Sequence, residues 1–163
     1  VSRRPQAPGV ARDTRSVCLS SLLAIDPGTV QSGWCRFYNG AVIASGVLLN
    51  PEMLYKCENT LLPLAIEMVA SYGMPVGKEV FETVRWIGRF QQAHFDPEAV
   101  QLIYRRDVKL YLCGNIRAKD PHVWQALIDK LGPVGTKANP GPLYGVKSHA
   151  RSAVAVAVTA LKL

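Results

Sequence analysis

The sequence predicts an α/β protein, a mixed five-stranded sheet flanked by helices, and three observations carry that prediction. Three apolar runs with strand character succeed one another within residues 17–49, and Asn39-Gly40, a pair that tolerates positive φ, joins the second to the third as a hairpin. Two further runs, "LPLAIEMVA" (62–70) and "AVQLIYR" (99–105), then alternate with helical patterns. Finally, 48% of the 163 residues are hydrophobic, enough for one real core and too many for a disordered chain.

The elements follow in order. Residues 1–16, "VSRRPQAPGVARDTRS", set four arginines against Asp13 without periodicity and read as a flexible basic arm, leaving 17–163 as a single domain. "VCLSSLLAID", "GWCRFYN" and "AVIASGVLL" are strands of an antiparallel meander, and Pro51 opens a short helix or turn region that runs to Thr60. The fourth strand, within 62–70, carries one charge, Glu67, before "SYGMPVG" breaks the chain. From Lys78, "KEVFETVRWIGRFQQAH" puts Val80, Phe81, Val84, Ile87 and then Phe90 or Gln91 on one helical face, with Trp86 and Phe90 in an aromatic stripe. After the fifth strand comes a helix over Asp107–Cys113 and another in "DPHVWQALIDKLG", with Asp120 as its cap, Pro121 in its first turn and Gly132 at its exit. Residues 132–147 are a Gly/Pro-rich loop, and Ser148 is positioned to cap a final Ala/Val-rich helix.

Nineteen basic against twelve acidic residues give a net charge of +7, which favours an anionic partner, most often nucleic acid. The four cysteines, Cys18, Cys35, Cys57 and Cys113, form no C-x-x-C pair, so zinc is not indicated and a reducing compartment is the simplest context. No apolar stretch approaches the length of a membrane span and no secretory h-region precedes the first strand, so the expected location is cytoplasmic.

Asp26 ends an apolar strand and precedes Pro27-Gly28, which makes it a turn cap, a neighbour of a phosphate loop or a metal ligand. Glu67 is either a surface glutamate at a strand end or, with apolar neighbours on both sides, a second ligand. If their strands are adjacent the two carboxylates converge and repel unless a cation lies between them, and Mg²⁺ is the hard ion that such oxygens satisfy. Two such ions roughly 4 Å apart activate water and steady the leaving oxygen in phosphodiester cleavage. His149 and Ser152, three apart at the start of the last helix, share one face; His149 is a metal ligand, a base for water or a hydrogen-bonded helix-start residue. "YRRDVKLYLCGNIRAKD" gathers Arg105, Arg106, Lys109, Arg117 and Lys119 against Asp107 and Asp120, a patch suited to phosphates or an ordinary solvated surface. Tyr72 and Met74, flanking Gly73, are either loop packing or residues that stack on or wedge between bases.

Taken in order, these stretches resemble the RuvC-type Holliday junction resolvases, specifically the shortened bacteriophage forms. "AIDPGTVQSGW" is similar to the family's first-strand motif, with Asp26 at its catalytic aspartate, and "LAIEMVASYG" to the segment bearing the second carboxylate, Glu67. "DVKLYLCGNIRAKDPHV" resembles the basic segment, with Lys109 and Lys119 at phosphate-contacting or catalysis-supporting positions, and "HARSAVAVA" puts His149 and Ser152 at two metal-binding positions of the last helix. The resemblance covers roughly residues 20–160 and departs at Ser152, where an aspartate is expected, and in the short interval between the third and fourth strands.

This resemblance implies a ribonuclease-H-like fold and a homodimer that cuts two opposed strands of a four-way DNA junction with Mg²⁺ or Mn²⁺. Asp26, Glu67 and His149 would hold metal, with Ser152 a possible further ligand, and Lys119 would support catalysis. Arg105, Arg106, Lys109, Arg117, Lys119, Lys147, Arg151, Tyr72 and Met74 would meet DNA. The helix segment "FETVRWIGRF" would supply the dimer interface through Phe81, Val84, Arg85, Trp86 and Phe90. No membrane and no small-molecule substrate are implied, and the compartment would be the bacterial host's cytoplasm if the gene is a phage's. Two other readings stay open: a branched-DNA-binding protein with weak or no cleavage, on the strength of Ser152, and a ribonuclease-H-like nuclease acting on forks or RNA–DNA hybrids.

Overall fold

A computed structural model describes residues 21–163; the basic arm and the start of the first strand lie outside the described residues. Five strands form one sheet: β1 (Ser21–Asp26), β2 (Gln31–Tyr38), β3 (Ala41–Leu49), β4 (Leu64–Met68) and β5 (Gln101–Tyr104). The order across the sheet is β3-β2-β1-β4-β5, antiparallel through the β1–β2–β3 meander and parallel from β1 to β4 to β5. The Asn39-Gly40 hairpin forms as expected, both residues at positive φ (46° and 83°).

Helices cover both faces. Strand alternation sends Leu23, Ile25, Leu64 and Ile66 to one face, where they pack with Met53 and Cys57 of α1 (Asn50–Glu58) and Ile87 and Phe90 of α2 (Lys78–Ala93). Leu22, Ala24, Cys35, Phe37 and Ala65 point to the other, under α5 (His149–Leu161), which is flanked by α3 (Arg105–Cys113) and α4 (Asp120–Leu131). Residues 153–159 of α5 are buried without interruption. The strand-like Ala/Val run is therefore helical because the helix is enclosed on all sides, a context that outweighs valine's local preference.

Several local expectations change. The buried stripe of α2 is Thr83, Ile87 and Phe90, while Phe81 and Val84 are 60% and 38% exposed. Phe90 is fully buried, stacked on Trp86 with ring centroids 5.7 Å apart, and so is a core residue with no surface to offer a dimer interface. Asp120 does not cap α4: the cap position is Lys119, whose main-chain N–H donates to His122 Nδ1 at 3.0 Å. Ser148 makes no capping hydrogen bond and enters α5 at φ 48°. The α3 helix starts at Arg105, directly after β5, two residues earlier than its apolar pattern indicates.

Cys35 and Cys57 are buried free thiols, both pushed up by burial (Cys57 to about 12), which suits packing and not nucleophilic chemistry. Among the described residues no helix is long and apolar enough to cross a membrane.

One glycine sets how closely α5 docks. Gly33 pairs with Asp26 across the β1–β2 ladder, and a Cβ there would collide with the main-chain carbonyl and Cβ of His149. Gly33→Ala is therefore expected to destabilise the fold by about 1–3 kcal/mol through overpacking, read by chemical denaturation. An unchanged midpoint would show that α5 does not press on the sheet at this point.

Candidate active site

The three parallel strands each deliver a charged residue at the carboxyl end, on the face covered by α5. Asp26 has the parity of Leu22 and Ala24, and Glu67 has the parity of Ala65. The parallel register pairs Ile25 with Ile66, so the two carboxylates extend from neighbouring positions on adjacent strands. Glu67 pairs with Ile103 of β5, and Arg105, two residues later, is the first residue of α3.

The turn that carries Asp26 is fastened from beneath. Ser32 Oγ donates to Asn50 Oδ1 (2.7 Å), Asn50 Nδ2 donates to the Gly28 carbonyl (2.9 Å), and the Gly28 N–H donates to Ser32 Oγ (3.4 Å). Ser32 and Asn50 are fully buried, so the triangle ties the Asp-Pro-Gly turn to β2 and α1 with its polar groups satisfied. The turn and ligand readings of this segment thus belong together, because the turn fixes the direction of the carboxylate.

Around the carboxylates the polar contacts are few and direct. His149 Nδ1 lies 3.0 Å from Asp26 Oδ2 and donates to it from an imidazole that is 54% exposed. Arg105 Nη1 lies 3.4 Å from Glu67 Oε2, and its other terminal nitrogen forms a close ion pair with Asp120 Oδ1. Asp26 and Glu67 retain only 15% and 12% of their side-chain exposure.

Burial raises both acids. Asp26 is lifted above the usual carboxylate range by desolvation, partly offset by the hydrogen bond and charge of His149 and by Arg105. Glu67 is pushed up to about 7 by burial and then by the charge of Asp26, against the opposing pull of Arg105. Burial works against the charge of Arg105 too, but Glu67 and Asp120 outweigh it and hold the guanidinium ionised. The site is a pair of desolvated acids in electrostatic conflict, relieved by Arg105 on Glu67 and by His149 on Asp26.

The remaining expected residues divide clearly. Ser152 is half-buried one turn along α5 and lines a cavity of about 540 Å³ with Arg105, Asp120, Trp124 and Arg151. Lys119, Arg106, Arg117 and Lys147 are exposed, Lys109 is half-buried, and Arg151 stacks over Trp124 at 4.3 Å from the ring centre. Tyr72 (60% exposed) and Met74 (71%) project from the turn that follows β4, where Tyr72 and Gly73 both take positive φ. Arg105, expected among the DNA contacts, is engaged by Glu67 and Asp120. Sequence reasoning missed the roles of Ser32, Asn50 and Gly33; only the glycine inside a strand was a readable sign of close approach.

Among the described residues, no group of three or more His, Cys, Asp or Glu side chains is gathered closely enough to hold a metal ion. The donor chemistry of the pair nevertheless fits a hard divalent cation: two buried, adjacent carboxylates whose repulsion already draws in a positive group.

No family model matches the chain, and no curated protein matches it. Solved structures do. The Thermus thermophilus RuvC structure superposes with a TM-score of 0.63 at 18% identity, over 85% of this chain and 92% of that one. T. thermophilus RuvC in complex with Holliday junction substrate gives 0.62 at 20% identity, over 86% and 92%. The fold is therefore RuvC-like, that is, ribonuclease-H-like.

A raised acid makes stability depend on pH with a definite sign. The stabilising effect of protonating Glu67 is fully present below its ordinary value of 4.5 and is lost as pH rises through about 7. Without added metal, Glu67→Gln should therefore gain on the parent between pH 5 and pH 8, by up to about 3 kcal/mol in denaturant titrations. A difference between the two proteins that is flat with pH would contradict the buried, repelled state of Glu67.

Proposed function

We propose that this chain is a metal-dependent endodeoxyribonuclease of the Holliday junction resolvase type, a shortened form such as bacteriophages encode. The observation that carries the reading is the in-register placement of Asp26 and Glu67 at the ends of parallel strands, with His149 on Asp26. The fold is like that of T. thermophilus RuvC, and one of the matching structures is of that protein with Holliday junction substrate.

In this mechanism Asp26 and Glu67 would hold Mg²⁺ or Mn²⁺, with His149 as a further ligand or as the base for water. The metal, when bound, supplies Lewis-acid stabilisation of the scissile phosphate and an acidified water. Asp26 fixes the imidazole through Nδ1, so that Nε2 of His149 accepts the proton of the attacking water. Lys119 and Lys109 offset the negative charge that develops on the phosphate. Arg106, Arg117, Lys147 and Arg151 hold backbone phosphates, and Tyr72 and Met74 engage bases where the junction opens. Two copies associate through the exposed Phe81 and Val84 with Arg85 and Trp86, which gives two identical sites for paired nicks. The setting is the cytoplasm, that of the bacterial host if the gene is a phage's.

A second reading, binding of branched DNA with weak cleavage, is favoured by Ser152 in the place of an acid. Nicking of a synthetic mobile four-way junction with Mn²⁺ or Mg²⁺ separates the two. The parent is expected to cut, and Asp26→Asn or His149→Ala to lose at least about a hundredfold in rate. Equal cleavage by parent and Asp26→Asn would sink the catalytic assignment, and tight binding without cleavage by the parent would establish the second reading. Competition with duplex, fork and RNA–DNA hybrid sets the substrate class.

Sedimentation tests the dimer. The parent should sediment as a dimer, and Phe81→Asp with Val84→Asp as a folded monomer, because both side chains lie outside the core. A parent that is monomeric with and without junction DNA would remove the basis for paired incision.

A further inference from the structure

We propose that Arg105 is a tethered counter-cation that occupies the acidic site in the absence of metal and competes with the divalent ion for Glu67, with Asp120 as the carboxylate that holds it back. The proposal rests on the reading of Asp26 and Glu67 as metal ligands.

The geometry is specific to three residues. Arg105 is the first residue of α3, immediately after β5, so its backbone is fixed beside the ends of the parallel strands. Its side chain is 25% exposed, and its two terminal nitrogens divide between two acids that have no other cationic partner among the described residues. The contact to Glu67, at 3.4 Å, is with the buried acid, whereas the carboxylate of Asp120 is 82% exposed. Asp120 is free for this role because the His122 and Val123 N–H groups at the start of α4 go to the Lys119 carbonyl and not to the Asp120 carboxylate. The guanidinium therefore bridges the end of β4 and the start of α4.

A unit positive charge at this distance from a buried carboxylate serves the same end as a metal ion: it offsets the repulsion from Asp26. Both cannot be fully satisfied by one Glu67, so metal binding and the Arg105–Glu67 contact are coupled with negative sign. There is room for the exchange. The cavity of about 540 Å³ that Arg105 and Asp120 line lets the guanidinium leave Glu67 while keeping its ion pair with Asp120. Asp120 thus favours metal binding by retaining the competitor, although it need not touch the metal.

Direct Mn²⁺ binding, followed by loss of the free-ion electron paramagnetic resonance signal, tests this without reference to cleavage. Arg105→Gln should bind Mn²⁺ at least about tenfold more tightly than the parent. Arg105→Lys, which keeps the charge but cannot fork between two carboxylates, should fall between them. Asp120→Asn should weaken binding in the parent and have much less effect in the Arg105→Gln background, because its action passes through Arg105. Binding by Arg105→Gln that is no tighter than the parent's, while Asp26→Asn abolishes it in both, would overturn the competition and leave the metal site standing. An equal effect of Asp120→Asn in both backgrounds would overturn the retaining role. Absence of Mn²⁺ binding in every protein, Arg105→Gln included, would overturn the metal centre and this proposal with it.

Discussion

The register between β1 and β4 is the constraint on which the site depends. It sets Asp26 beside Glu67 on a covered face, and burial then turns proximity into conflict. Two ionised carboxylates cannot share a desolvated position without a proton, a guanidinium or a metal ion between them. The protein as described meets that demand with Arg105 on one acid and His149 on the other. A sheet that only needed to be stable would have no use for this arrangement, since apolar residues at both positions would remove the conflict.

The rest of the fold holds the conflict in place. The Ser32–Asn50–Gly28 triangle fixes the turn after Asp26, and Gly33 lets α5 approach until His149 reaches the carboxylate. Enclosure of α5 between the sheet and its neighbouring helices makes that approach rigid. Local backbone, packing and electrostatics therefore converge on a few side chains at one sheet end, which is where open α/β sheets generally place ligands.

Much of this was legible in the sequence, and what was not has a physical explanation. The five strands, the Asn39-Gly40 hairpin and the closing helix were readable because apolar period and turn chemistry are local signals. So were Asp26 and Glu67, as charges placed where burial makes them costly. The burial of Phe90 is not legible, because a stripe of aromatic residues looks the same in sequence whether it faces a core or a partner. Capping by Asp120 is a local signal, whereas its ion pair with Arg105 depends on how α3 and α4 come together in space. Ser32 and Asn50 carried no signal, since their bonding is defined only by a contact across 18 residues.

The proposed chemistry depends on the paired carboxylates at the ends of β1 and β4 receiving a divalent cation. Anomalous diffraction from crystals of the protein equilibrated with Mn²⁺ tests it most directly. The account predicts a peak bounded by the side chains of Asp26 and Glu67, with Arg105 withdrawn toward Asp120. Saturating Mn²⁺ with no peak there, and Arg105 still on Glu67, would contradict it.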